Sequence, residues 1–174
     1  MDFEAPVSEQ SPPEQSRLAD WYPGADLVDA FAVQLPRGYG SDIHAIGQAV
    51  LGHPPPWFQA LLSIRDLVVR PFGLRTSVAM RKAAGDRIDF FPILSVDDQE
   101  MILGEDDRHL DVRISLLLLQ GTNGRDRLVA TTAVRCHNRL GRLYLAAITP
   151  FHRVVVRSCL RRAAMTGFAS ARTG

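Results

Sequence analysis

The hydrophobic period of residues 110–162 changes once, from two to between three and four, and that switch points to an α+β architecture. Leu110, Val112, Ile114, Leu116 and Leu118 alternate with Asp111, Arg113 and Ser115, which gives an extended segment one apolar face and one polar face. Gly121-Thr122-Asn123-Gly124 supplies a turn, and a return strand is predicted over about Arg127 to Cys136. Then Leu140, Tyr144, Ala147, Phe151, Val154, Val155 and Ser158 recur at steps of three or four, predicting a long amphipathic helix with these residues as its apolar stripe. Pro150 has no amide to donate and costs about 3 kcal/mol inside a helix. A kink there, or two helices meeting end to end, is therefore expected. Arg161 and Arg162 near the helix C-terminus suit the helix dipole.

Upstream, residues 1–17 are rich in Pro, Ser, Gln and Glu with few large apolar side chains. Such a segment buries too little to compensate its ordering entropy, so a mobile tail is expected over 1–18. Partial alternation from Ala25 to Leu35, ended by Pro36 and Gly38, predicts a first strand. Ile43, Ile46, Val50 and Leu51 follow at helical spacing, with Ser41 or Asp42 as N-cap and Gly52 as a stop. Pro54-Pro55-Pro56 leads into a second predicted helix from Trp57 to about Arg70. Ile88 with Phe90, and Met101 with Leu103, read as short strands separated by a hairpin turn at Asp97-Asp98. The partition is a tail over 1–18, one domain over 19–168 and a disordered tail over 169–174.

A chain of 174 residues, 46% hydrophobic and 22% charged, can bury a sizeable core without crosslinks. Cys136 and Cys159 form no CxxC pair and read as small apolar fillers of a reducing compartment. The first fifteen residues hold neither a basic residue nor an apolar run, so no secretory signal is expected, and no apolar run has the length of a membrane span. The expected location is cytoplasmic. The net charge of +1 conceals an asymmetry, since residues 125–174 carry ten arginines and a single acid, Asp126. The acids of the remainder should attract them.

Several strings are more specific than the topology. They are Pro55-Pro56-Trp57 with Arg70-Pro71-Phe72-Gly73, Leu103-Gly104-Glu105-Asp106-Asp107-Arg108-His109-Leu110-Asp111, and His137-Asn138-Arg139-Leu140-Gly141-Arg142-Leu143-Tyr144 with Pro150-Phe151-His152-Arg153. On these strings the chain resembles an uncharacterised bacterial family of unknown function within the START-like, polyketide-cyclase-like (SRPBCC) superfamily, over roughly residues 25–165. The resemblance implies a helix-grip fold, in which a curved antiparallel sheet wraps a long C-terminal helix and two shorter helices follow the first strand. It also implies association with a short-chain reductase-like protein, and it carries no catalytic residues across.

The densest polar string, Glu105-Asp106-Asp107-Arg108-His109 with Asp111 and Arg113, has two readings. A carboxylate beside His109 could make the imidazole an acid or base near neutral pH, with Asp111 as its counterpart. The same residues could equally form an acidic corner that meets the arginines of the last helix. Asp111 and Arg113 share a strand face and could fix a polar ligand group, with Arg135 on the neighbouring strand as the counter-ion of Asp111. His44, His53, His109, His137 and His152 do not pair at zinc-site spacings, so no metal or other cofactor is expected. Asn138, at the junction of strand and helix, is a candidate N-cap. Arg153, Arg157 and Arg161 form a basic stripe, but no interleaved aromatics or nucleic-acid motif accompany it, so it reads as a solvated, ion-paired face. Walker, Rossmann and nucleophile-elbow motifs are absent from the sequence.

Three functions are compatible with this pattern. One is a binding protein whose apolar cavity, lined by Trp57, Phe90, Ile114, Leu116 and Tyr144 with Asp111, Arg113 and Arg135 as polar contacts, holds a hydrophobic or amphipathic small molecule. Another is a cyclase- or hydratase-like enzyme using His109 and Asp111 as acid and base. The third is an accessory domain that docks on a reductase through its basic helix.

Overall fold

The computed structural model describes residues 6–52, 57, 60, 63, 66, 86–89, 91–121 and 125–170, with side chains in the last helix described to Met165. Among these residues seven strands form one antiparallel sheet: β1 (Val7–Gln10), β2 (Leu27–Gln34), β3 (Arg87–Ile88), β4 (Phe91–Val96), β5 (Glu100–Asp106), β6 (Leu110–Leu119) and β7 (Arg127–Cys136). Their spatial order is β1-β2-β7-β6-β5-β4-β3. The helices are α1 (Ile43–Leu51) and α2 (Arg139–Ser170). The protein is thus α+β, with a short and a long helix against an antiparallel sheet, an arrangement consistent with a helix grip. Trp57, Ala60, Ser63 and Asp66, the described residues of the second predicted helix, are helical.

Sheet parity divides the side chains cleanly. Phe31, Val33, Met101, Leu103, Ile114, Leu116, Leu118, Leu128 and Ala130 point to one face and pack with Ile43, Ile46 and Val50 of α1 and Cys159, Leu160, Ala163 and Ala164 of α2. We call this the helix face. Full burial of a side chain such as Leu160 or Leu116 stabilises by about 1.5–3 kcal/mol. Burial also pushes the Cys159 thiol above its usual range, in keeping with an inert filler. Asp42 caps α1 by accepting from the amides of His44 and Ala45, and Asp97 closes the β4–β5 turn by accepting from those of Gln99 and Glu100.

The opposite face is covered by the segment expected to be mobile. β1 pairs with β2, and Leu18 is buried with Ile102 and Ala133 while Trp21 and Tyr22 pack beside them. Local composition underestimated this segment because its partners are distant in sequence. The Trp21 ring lies between the guanidinium groups of Arg113 and Arg135, 4.4 and 4.3 Å from their central carbons. Residues 11–26 therefore form a strap across the outer face, and β1 lies before the expected boundary at residue 19.

α2 runs as one helix through Pro150, so of the two expected arrangements, a kink or two helices meeting end to end, the second is not found. Pro150 is exposed, as is Ala146, whose carbonyl loses its amide partner, so water can satisfy that group. The helix extends to Ser170, past the expected end at 168. Its inward stripe is Gly141, Leu145, Cys159, Leu160, Ala163 and Ala164, all buried, with His152, Val155 and Val156 partly buried between them, and it is shifted round from the predicted one. Leu143, Phe151 and Val154 are more than half exposed. The side chains the sheet must accommodate near the helix start are small or polar, and hydrophobicity alone selected the wrong face.

Candidate functional site

The sequence-derived site residues lie in three separate places. Ile114 and Leu116 belong to the core under the helices, and Tyr144 is half buried on α2. Asp111, Arg113 and Arg135 have the opposite sheet parity and serve the outer face. Trp57 is 42% exposed, and Phe90 lies outside the described residues.

His109 and Asp111 enter different networks. The His109 ring is buried, and its Nδ1 lies 2.9 Å from Asn138 Nδ2, the shorter of its two contacts with that amide, whose Oδ1 accepts from the Gly141 amide at 3.0 Å. Asn138 thus caps α2 and holds His109 at once. Gly141 is required here, since a Cβ would collide with the His109 carbonyl oxygen. Asp111 instead pairs with His137 Nε2 at 2.9 Å. Arg135 is cross-strand from Asp111, yet it stacks on Trp21 and donates to the carbonyl oxygens of Trp21 and Pro23, so the expected counter-ion pair does not form.

The acidic corner also has partners other than those expected. Glu105 pairs with Arg87 at 3.5 Å, and Asp106 with Arg113 at 2.5 Å. The arginines of α2 meet acids from the first thirty residues: Arg142 with Asp26 at 3.0 Å and Arg157 with Glu9 at 3.2 Å. Asp26 also accepts from the Cys136 amide at 2.7 Å, and that bond, reinforced by Arg142, lowers its carboxyl pKa.

One polar group on the helix face was not singled out from the sequence. Asp29 shares parity with Phe31 and Val33, and its residue is 5% exposed. His152 of α2 approaches it, Nε2 to Oδ1 at 3.3 Å, while Arg153 Nε stands 3.9 Å from Oδ2. Among the described residues no hydrogen-bond donor reaches Oδ2. The register places Asp29 at the end of a cross-strand row, Leu103–Ile114–Thr132–Asp29. The next row is Glu105–Val112–Val134–Leu27. Strands about 4.8 Å apart and a rise of about 3.4 Å per residue put Asp29 and Glu105 roughly 16 Å apart, three strands across and one row along the sheet. A buried carboxylate with a basic neighbour therefore stands at each side of a strip formed by Val112, Ile114, Thr132 and Val134. The available signal was parity: an aspartate in phase with Phe31 and Val33 falls on the apolar face of its strand.

Chemically, the Asp29 carboxylate can accept a hydrogen bond at Oδ2 and can hold the His152 imidazole at Oδ1. Among the described residues no group of three His, Cys, Asp or Glu side chains is placed to hold a metal ion. No helix among them is long and apolar enough to cross a membrane.

Fold and site thus define an α+β protein with a buried, half-satisfied carboxylate between a long helix and the sheet. The chain belongs to the family described as Protein of unknown function (DUF2867), whose model matches residues 21–159. No curated protein and no solved structure matches the chain.

Proposed function

We propose that the protein is a helix-grip binding protein of the START-like kind that holds a hydrophobic or amphipathic small molecule on the helix face of its sheet. The observation that carries this reading is the Asp29 carboxylate, buried beside apolar side chains with one oxygen lacking a donor. Buried polar atoms are nearly always hydrogen-bonded, so an exception calls for a partner such as a water, an ion or a ligand group. Val112 and Ile114 offer apolar surface on the neighbouring strands, and Thr132 offers a hydroxyl.

Native mass spectrometry of the purified protein, followed by thermal-shift screening against lipids, polyketides and aromatic compounds, tests the reading. A co-purifying small molecule, or a ligand that raises the melting temperature of the wild type but not of Asp29→Asn, is the expected result. Absence of any adduct together with uniform failure of the screen would remove it.

The 3.3 Å contact between His152 and Asp29 favours a second reading, in which the pair serves as acid and base for a bound substrate. It replaces His109 and Asp111 in that role, because those two residues are committed to the α2 cap and to His137. His152→Gln would then abolish turnover of an identified substrate while leaving its binding intact.

A further inference from the structure

The polar group of the ligand is constrained by what already surrounds Asp29. Its Oδ1 faces His152 Nε2 at 3.3 Å. Its Oδ2 has no hydrogen bond among the described residues, but Arg153 Nε lies 3.9 Å away, too far to donate and near enough to oppose the charge. The side chain of Asp29 is 3% exposed, against 21% for His152 and 45% for Arg153. The carboxylate is thus shielded from bulk solvent, while its basic neighbours are partly exposed.

Three kinds of head group could meet the open oxygen. A carboxylate or phosphate is repelled by Asp29 and brings no donor to it. An ammonium brings donors, but it meets the Arg153 guanidinium beside the same oxygen, so much of its attraction is cancelled while its desolvation cost is undiminished. A neutral hydroxyl supplies the missing donor and adds no charge to a pair already close to balance.

We propose that Asp29 Oδ2 accepts a hydrogen bond from a neutral hydroxyl group of the ligand, whose apolar body lies along the row toward Ile114. The proposal rests on the ligand-binding reading above and narrows it to hydroxyl-bearing amphiphiles. Thr132, directly across from Asp29 and 4% exposed, lies between the carboxylate and the apolar side chains of that row.

Isothermal titration with four matched probes tests it: 2-naphthol, 2-methoxynaphthalene, 2-naphthoate and 2-naphthylmethylammonium near neutral pH, on the full chain and on Asp29→Asn. For the wild type, 2-naphthol should bind about tenfold or more tightly than 2-methoxynaphthalene, which has the same body and no donor. It should also exceed both charged probes. In Asp29→Asn that preference should shrink toward unity and 2-naphthoate should gain. Asp29→Ser, checked by circular dichroism, serves where the asparagine variant does not fold, and the ratios within the wild type decide independently of either.

Equal binding of all four probes would overturn the hydroxyl proposal and leave the ligand-binding reading standing. The same holds if 2-naphthylmethylammonium binds most tightly, which would make the site cationic in preference. Failure of all four, with no co-purifying molecule, would remove the ligand-binding reading and this proposal together.

Discussion

Glu100 on the outer face and Asp29 on the helix face are both buried carboxylates, 2% and 5% exposed, but only Glu100 is fully served. Glu100 Oε1 accepts from the hydroxyls of Ser16 and Ser115, each at 2.5 Å, and Oε2 accepts from the Arg17 amide at 2.9 Å and from Arg17 Nε at 3.3 Å. Those donors come from the strap and from β6, so the charge fastens residues far apart in sequence. Asp29 has one imidazole at hydrogen-bond distance and one oxygen without a donor. A completed network needs no further partner, whereas an incomplete one leaves an acceptor open to water, an ion or a ligand group.

The strongest way to break this contrast is to remove its satisfied member. Glu100→Ala should lower stability by about 3–5 kcal/mol, since Ser16, Ser115 and Arg17 lose a shared charged partner inside the fold. Urea unfolding followed by circular dichroism measures the loss, and a value below about 1 kcal/mol would mean that the strap is held by other contacts. Trp21→Ala should cost about 2 kcal/mol, because a half-buried ring stacked between two arginines disappears. Limited proteolysis should then cut residues 11–26 sooner, while amides of β6 and β7 keep their exchange protection.

Asn138→Ala should cost about 1 kcal/mol by uncapping α2. The same change frees His109 Nδ1, so the imidazole nitrogen shifts of His109 should move; unchanged shifts would contradict the assigned bond. Asp29→Asn is expected to alter stability by no more than about 0.5 kcal/mol, because His152 and Arg153 can turn to water once the charge is gone. A loss equal to that of Glu100→Ala would erase the distinction between the two carboxylates.

The smallest effect concerns acid stability. The Cys136 amide and Arg142 lower the carboxyl pKa of Asp26, and the amides of Gln99 and Glu100 lower that of Asp97. A carboxyl whose folded pKa lies below its unfolded value stabilises the fold above the unfolded pKa, and that contribution fades as pH falls through the folded pKa. Stability should therefore decline in the acid range below the ordinary carboxylate pKa. Asp26→Asn should flatten part of that limb in unfolding curves recorded across the range, and an unaltered slope would refute the role given to Asp26.

Much of the fold was legible in local pattern. The alternation of β6, the bounds of β7, the Asp42 cap, the Gly52 stop and the Asp97 turn are set by residues within a few positions of one another. The strap was not legible, because Ser16, Leu18 and Trp21 find their partners at Glu100, Ile102, Arg113 and Arg135. The α2 stripe was misread for a related reason. Phe151 and Val154 are the more hydrophobic side chains, but Gly141 fits against the His109 carbonyl and His152 reaches Asp29.

By itself the sequence determined the period of β6, β7, α1 and α2, and with it the α+β class, because backbone geometry ties side-chain direction to spacing along the chain. Which polar residues meet was decided by the tertiary structure. Asp29 and His152 are joined only when α2 closes over β2, and His109 and Asp111, close in sequence, are drawn to different partners by the packing of the helix start. Hydrogen bonds and charges act over a few ångströms of space, whatever the distance along the chain.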